Sequence, residues 1–283
     1  MTDAQKKTAA TWFAKLQSEI IATLQALEDK ASPAIYGEGS SQFVRTPWVR
    51  KEGGGGTMAV LEGRLFEKAG VNFSEVWGEF SEDFRYEIPG ADEDPRFWAS
   101  GISLVIHPRN PHVPIVHMNT RFIVTQKHWF GGGADLTPVF PIEKDTHDFH
   151  EAMKVACDAH DPKYYPKYKT WADEYFYIPH RNEARGVGGI FYDGLNSGDW
   201  DNDFAFTKDV GQAFHKIYPQ IVERHMNTPW TEEDRKAQLI KRGRYVEFNL
   251  IYDRGTAFGL KTGGNTEAIL MSMPPVVEWP AAA

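Results

Sequence analysis

Residues 102–125 read ISLVIHPRNPHVPIVHMNTRFIVT, and their pattern decides the fold class. Two strand-like runs, 102–107 and 114–125, flank Pro108–Val113, where two prolines and an asparagine make a turn. The pair predicts an antiparallel hairpin. A period of two puts His117, Asn119 and Arg121 on one face and Met118, Thr120 and Phe122 on the other. The polar face reads either as a solvated outer face or as a site, and the preceding strand can aim Ser103 and His107 the same way.

Outward from the hairpin, helical patterns fall near 10–29, 57–70, 147–158, 204–226 and 231–240, and further strand-like runs near 187–192 and 244–253. Trp12, Phe13, Leu16, Ile20, Leu24 and Leu27 recur at three- and four-residue steps, which predicts an amphipathic opening helix over about 10–29. No regular βαβ alternation runs through the chain. The expectation is an α+β fold, a large antiparallel sheet flanked by helices on both sides. With no repeat and no low-complexity linker, residues 1–283 read as one domain.

Composition narrows the function classes. Hydrophobic residues make up 41% and charged residues 25%, which is ordinary globular usage. The net charge of −8 argues against a nucleic-acid partner, which would select a basic face. One cysteine, Cys157, excludes an intrachain disulfide and every Cys-pair zinc or redox motif, in keeping with a reducing cytoplasm. No run approaches the length of a membrane span, and no targeting segment opens the chain, so integral membrane association is not expected.

Two glycine runs raise the question of an anion cradle. HWFGGGADLTP (128–138) has no Lys-Ser/Thr pair behind its glycines, and its Asp135 would repel a phosphate. GGGGTMA (53–59) follows VRKE, which is not a buried strand, so dinucleotide binding carries little weight. The segment YIPHRNEARGVGGIFYDG brings His180, Arg181, Glu183 and Arg185 ahead of an apolar strand. Two guanidinium forks there suit a carboxylate ligand, or else an exposed Arg–Glu cluster. Four of the ten histidines, His107, His117, His150 and His180, are candidate metal ligands without an H-E-x-x-H motif, so metal is the minority reading. No G-x-S-x-G elbow supports a hydrolase.

Taken together, GGGGTMAVLEGRLFEKAGVN, SLVIHPRNP, VHMNTRF, WFGGGADLTP, DEYFYIPHRNEARGVGGIFYD and YVEFNLIYDRGTAFGLKTGGNTEAILMSMPP resemble the oxygen-dependent coproporphyrinogen III oxidases. The resemblance covers most of the chain from Gly53 onward. It implies oxidative decarboxylation of two propionates of coproporphyrinogen III to vinyl groups, giving protoporphyrinogen IX, with dioxygen as oxidant and no organic cofactor. It also implies a homodimer through about 245–275. Carried over by motif, His117 is the proton-transfer residue and Asp135 the carboxylate facing the pyrrole N–H groups. Ser103, Asn119, Thr120, Arg121, Arg181, Arg185, Gly263, Gly264 and Asn265 fall on substrate-contact positions, and His107, His117, His150 and His180 on a divalent-cation set. The glycines of 131–133 then become backbone cleared for a flat macrocycle. Three positions depart from the family pattern: Asn265 stands where many relatives have arginine, His128 where tryptophan is common, and the chain ends in VVEWPAAA without the usual aromatic tail. A metal-dependent oxygenase and a non-catalytic tetrapyrrole carrier are the competing readings.

Overall fold

A computed structural model describes residues 1–261 and 264–280. The chain opens with α1 (Asp3–Asp29) and α2 (Pro33–Tyr36), then runs through β1 (Val44–Val49), β2 (Gly54–Leu61), β3 (Phe66–Glu79), α3 (Glu82–Arg85), β4 (Arg96–Pro108), β5 (Ile115–Val124) and β6 (His128–Thr137). Two helices follow, α4 (Glu143–Asp158) and α5 (Tyr164–Tyr175). A small hairpin of β7 (Tyr177–Ile178) and β8 (Glu183–Ala184) encloses a 3-10 turn at Pro179–Arg181. Then come β9 (Gly188–Leu195), α6 (Trp200–His225), α7 (Glu232–Ile251), α8 (Arg254–Lys261) and α9 (Thr266–Leu270). The main sheet has seven strands in the order β1-β2-β3-β4-β5-β6-β9, antiparallel at every step. The α+β reading therefore holds.

Alternation along β4 and β5 divides the sheet's two faces. Leu104, Ile106, Val116, Met118 and Phe122 join the main hydrophobic core with α1 and α6. Val105 and Ile115 point the other way and pack on Tyr245 of α7. The hairpin turn is tied down by Asn110, whose amide donates to the carbonyls of His225, the last residue of α6, and Thr228 just after it. The α1 helix begins seven residues before the expected position because Thr2 and Gln5 form a reciprocal capping box. Its buried stripe includes Phe13, Leu16, Ile20, Leu24 and Leu27, as the spacing predicted.

Two element assignments made from periodicity are overturned. Residues 57–70 are not helical: they belong to β2 and β3 and the turn between them. The reason is tertiary. The fully buried Glu28 carboxylate of α1 accepts the backbone N–H groups of Arg64, Leu65 and Phe66, and a Cβ at Gly63 would lie 2.6 Å from it. Conversely, 244–253 is not a strand, because α7 continues to Ile251. Thr231 and Asp234 cap that helix, and Gln238, Arg242, Tyr245, Phe248 and Asn249 fall on one buried helical stripe.

The glycine run is neither a turn nor a loop. Residues 128–137 form β6, buried between β5 and β9 from Trp129 onward. Each glycine there makes room for protein. A Cβ at Gly132 would meet the Tyr192 hydroxyl at 2.8 Å, and one at Gly133 would meet the Ile190 carbonyl at 2.4 Å. At Gly131 it would press on Asp193 and Arg121.

Candidate active site

The β5–β6 register pairs His117 with Asp135, Asn119 with Gly133 and Arg121 with Gly131, while β4 sets Ser103 opposite Asn119. Ser103, His117, Asn119, Arg121 and Asp135 therefore share the sheet face turned away from α1 and α6. Over His107 that face is roofed by α7 and the segment after α9, where His107 Nε2 bonds the Ser272 carbonyl at 2.8 Å. Around exposed Ser103 and the half-buried Gly101 and Arg121 the face is open.

One continuous chain of side-chain contacts crosses this face. Arg185 grips Asp135 in a fork, Nη2 to Oδ1 at 2.7 Å and Nε to Oδ2 at 3.2 Å. Asp135 Oδ1 also accepts from His117 Nδ1 at 2.9 Å. Asn119 Nδ2 lies 3.0 Å from His117 Nε2, and Arg121 Nη1 donates to Asn119 Oδ1 at 2.7 Å. Arg121 Nη2 then meets Asp193 Oδ2 at 3.1 Å, and Trp129 Nε1 donates to Asp193 Oδ1 at 3.2 Å. The orientation is self-consistent. Arg121 can donate only to an amide oxygen, so the Asn119 NH2 faces His117, which places the imidazole proton on Nδ1 and a lone pair on Nε2.

Asp135 and Arg185 are nearly sealed from solvent, at 1% and 2% exposure, so neither reaches the open surface. Burial alone would raise the Asp135 pKa, but the Arg185 charge and the His117 contact outweigh it and hold the carboxyl below its ordinary 3.8. Arg185 is enclosed by the rings of Phe176, Tyr245 and Phe248, at 4.2, 4.6 and 4.5 Å, and gives its remaining Nη1 to Asn249. Its carboxylate ligand is thus Asp135. A second carboxylate, Asp253, is bound by the Tyr175 hydroxyl and by the backbone and side chain of Thr256.

The other sequence-derived positions scatter. Thr120 faces the helix-covered core, fully buried, with no hydrogen-bond partner for its hydroxyl, so its side chain is not on the open face. Arg181 and His180 lie at the β7–β8 hairpin, where both bind Glu247 of α7. Asn265 spends its side-chain oxygen capping α9 on Ala268 N, and Gly264 N bonds the Gly259 carbonyl. Gly263 lies outside the described residues.

The four histidines do not converge. His150 is held by the Tyr165 hydroxyl and the Val187 carbonyl, His180 by Tyr252 and Glu247, His117 by Asp135 and Asn119, and His107 by Ser272. Among the described residues no group of three or more His, Cys, Asp or Glu side chains is placed to hold a metal ion. The donor set among the described residues does not fit a cation site.

Residues 8–282 match the family model described as Coproporphyrinogen III oxidase. The chain belongs to the coproporphyrinogen III oxidase family. Over 279 residues it is 54% identical to a Rickettsia bellii protein named oxygen-dependent coproporphyrinogen-III oxidase, covering 99% of this chain and all of the relative. A Rickettsia felis protein of the same name is 55% identical over 274 residues, 97% of this chain and 98% of its own. The family assignment agrees with the motifs from Gly53 onward and extends it through α1. Asp193, Asn249 and Asp253 were not singled out from the sequence. All three sat inside quoted motifs, but only the tertiary fold brings Asp193 to Arg121 and Asn249 to Arg185.

Proposed function

We propose that this chain, like the relatives named for it, is an oxidoreductase that oxidatively decarboxylates coproporphyrinogen III in haem biosynthesis. Each of two propionates, as the acid, combines with dioxygen to give a vinyl group, CO2 and hydrogen peroxide. Dioxygen takes up the two electrons and two protons. The observation that carries the site reading is His117 clamped between Asp135 and Asn119 at the edge of an open sheet face. Its Nε2 lone pair can accept a substrate proton once Asn119 gives way, and the Nδ1 proton then sits against an anionic Asp135 that stabilises the imidazolium. Asp135 acts here as the orienting group rather than as a contact to pyrrole N–H groups, since its oxygens are taken by Arg185 and His117. Arg121 and Ser103 border the substrate, the guanidinium suited to an acidic side chain of the macrocycle.

The row lies on one sheet face where Gly101 and Ser103 keep side chains short, so a broad ring can approach the backbone. Exposed Leu250, Ile251 and Leu260, within 245–275, support a homodimer through α7 and α8. One main core and a family match spanning 8–282 support a single domain. No helix among the described residues is long and apolar enough to cross a membrane, and a lone buried thiol suits the cytoplasm. Incubation with coproporphyrinogen III in air and under nitrogen, with products resolved by chromatography, tests the activity. Protoporphyrinogen formed only in air is the expected result, and folded protein that makes none in air overturns it. Sedimentation of wild type and Leu250→Glu tests the dimer, which the variant should dissociate. A monomeric wild type would refute it.

A further inference from the structure

We infer that Asp193 is a positioning residue for this active site, holding Arg121 so that Arg121 in turn fixes the Asn119 amide against His117. This rests on the reading of His117 above. Two independent features of the fold converge on it. Asp193 divides its carboxylate: Oδ1 accepts from Trp129 Nε1 at 3.2 Å and from Gly194 N at 3.0 Å, leaving Oδ2 to Arg121 Nη2 at 3.1 Å. The second feature is the glycine run. The register shift in the β6–β9 ladder falls between Phe130 and Gly132, bringing Asp193 beside Gly131, where a Cβ would lie 2.6 Å from Asp193 Oδ1 and 2.9 Å from Arg121 Cζ. Gly131 is therefore required by the Asp193–Arg121 pair, and the bare backbone of this motif has a protein-internal purpose at that position.

The physical reason is geometric. A guanidinium at the edge of an open face has many rotamers, and one bond to an amide oxygen does not select among them. The second anchor, on a rigid strand, does. With Arg121 fixed, flipping the Asn119 amide would set two N–H donors against each other, so the NH2 stays on His117 Nε2. Asp193 has no contact with His117 and is not a catalytic residue.

Asp193→Asn is the discriminating variant, because its retained carbonyl oxygen keeps the Trp129 and Gly194 bonds while its new NH2 faces Arg121 as donor against donor. We expect kcat to fall about tenfold, equivalent to roughly 1.4 kcal/mol, from loss of the Arg121–Asp193 ion pair, with KM for coproporphyrinogen III unchanged or lower, since a competing carboxylate has gone. Gly131→Ala should reproduce that split. Combined with Asn119→Ala, Asp193→Asn should add little, because both act through one chain of contacts. Multiplicative losses, or a raised KM with kcat intact, would overturn the assignment. A crystal structure of Asp193→Asn gives a readout independent of turnover. Arg121 released from Asn119 supports the inference, and an unchanged Arg121–Asn119–His117 arrangement refutes it even if the wild type proves inactive on this substrate.

Discussion

Replacing Asp135 by leucine should be costly in stability, and the cost should be recoverable without recovering activity. The single variant strands the Arg185 guanidinium, 2% exposed, with only Asn249 and three ring faces around it. Removing one partner of a buried ion pair costs about 3–5 kcal/mol, whereas exchanging the whole pair for apolar groups of similar volume is often neutral or better. Pairing Asp135→Leu with Arg185→Met should therefore restore most of that stability, short of about 1 kcal/mol for the orphaned His117 Nδ1–H. Turnover should stay lost in both, since the Asn119 amide alone then holds the imidazole and no carboxylate stabilises its protonated form.

The pH dependence follows from the direction of the Asp135 shift. A carboxyl whose folded pKa is depressed contributes stability that is present above its unfolded value, 3.8, and is lost as pH falls through the folded value. The deficit of the single variant relative to wild type should be constant from neutral pH down to about 4 and shrink only below it. Urea titrations of wild type, single and double variant across pH, beside turnover assays, measure all of this. A single variant as stable as wild type, or a double variant that turns over substrate, would sink the account of Asp135 as an ionised, buried orienting group.

Thr120→Val should leave turnover unchanged and raise stability by up to about 1 kcal/mol, since it removes a buried hydroxyl without a partner; lost activity on a folded variant would return Thr120 to the substrate. Exhaustive chelation should change neither melting temperature nor turnover, and a stoichiometric metal that is retained by wild type but lost from His150 or His180 variants would contradict the scattered histidine geometry. Burial pushes the Cys157 thiol up to about 12, so alkylating reagents at pH 8 should label it only in denaturant; rapid labelling of native protein would show that α4 opens locally.

Much of the site was legible because strands have a period of two. His117, Asn119 and Arg121 alternate in VHMNTRF, and a hairpin with a short turn leaves Ser103 on the same face. The family motifs added His117 and Asp135 as partners in one site, and the register sets them side by side. Periodicity failed where distant residues decide. RYVEFNLIYD is rich in residues that favour strands, yet a cap at Thr231 and a buried stripe through Tyr245 and Phe248 carry the helix across it. MAVLEGRLFEKAG has helical spacing, but a carboxylate from α1 holds its middle as a turn.

By itself, then, the sequence determined an antiparallel α+β chain, its family, and the row of side chains on β5. Tertiary structure decided what those side chains do to one another. Asp135 and Arg185, fifty positions apart, form an ion pair buried behind the sheet face, because α7 and Phe176 close over them and exclude water. The glycines beside Asp135 serve neighbouring strands and the Arg121–Asp193 pair. Spacing along a chain says which groups share a face; burial and the unused hydrogen-bonding capacity of each group say which of them remain free to react.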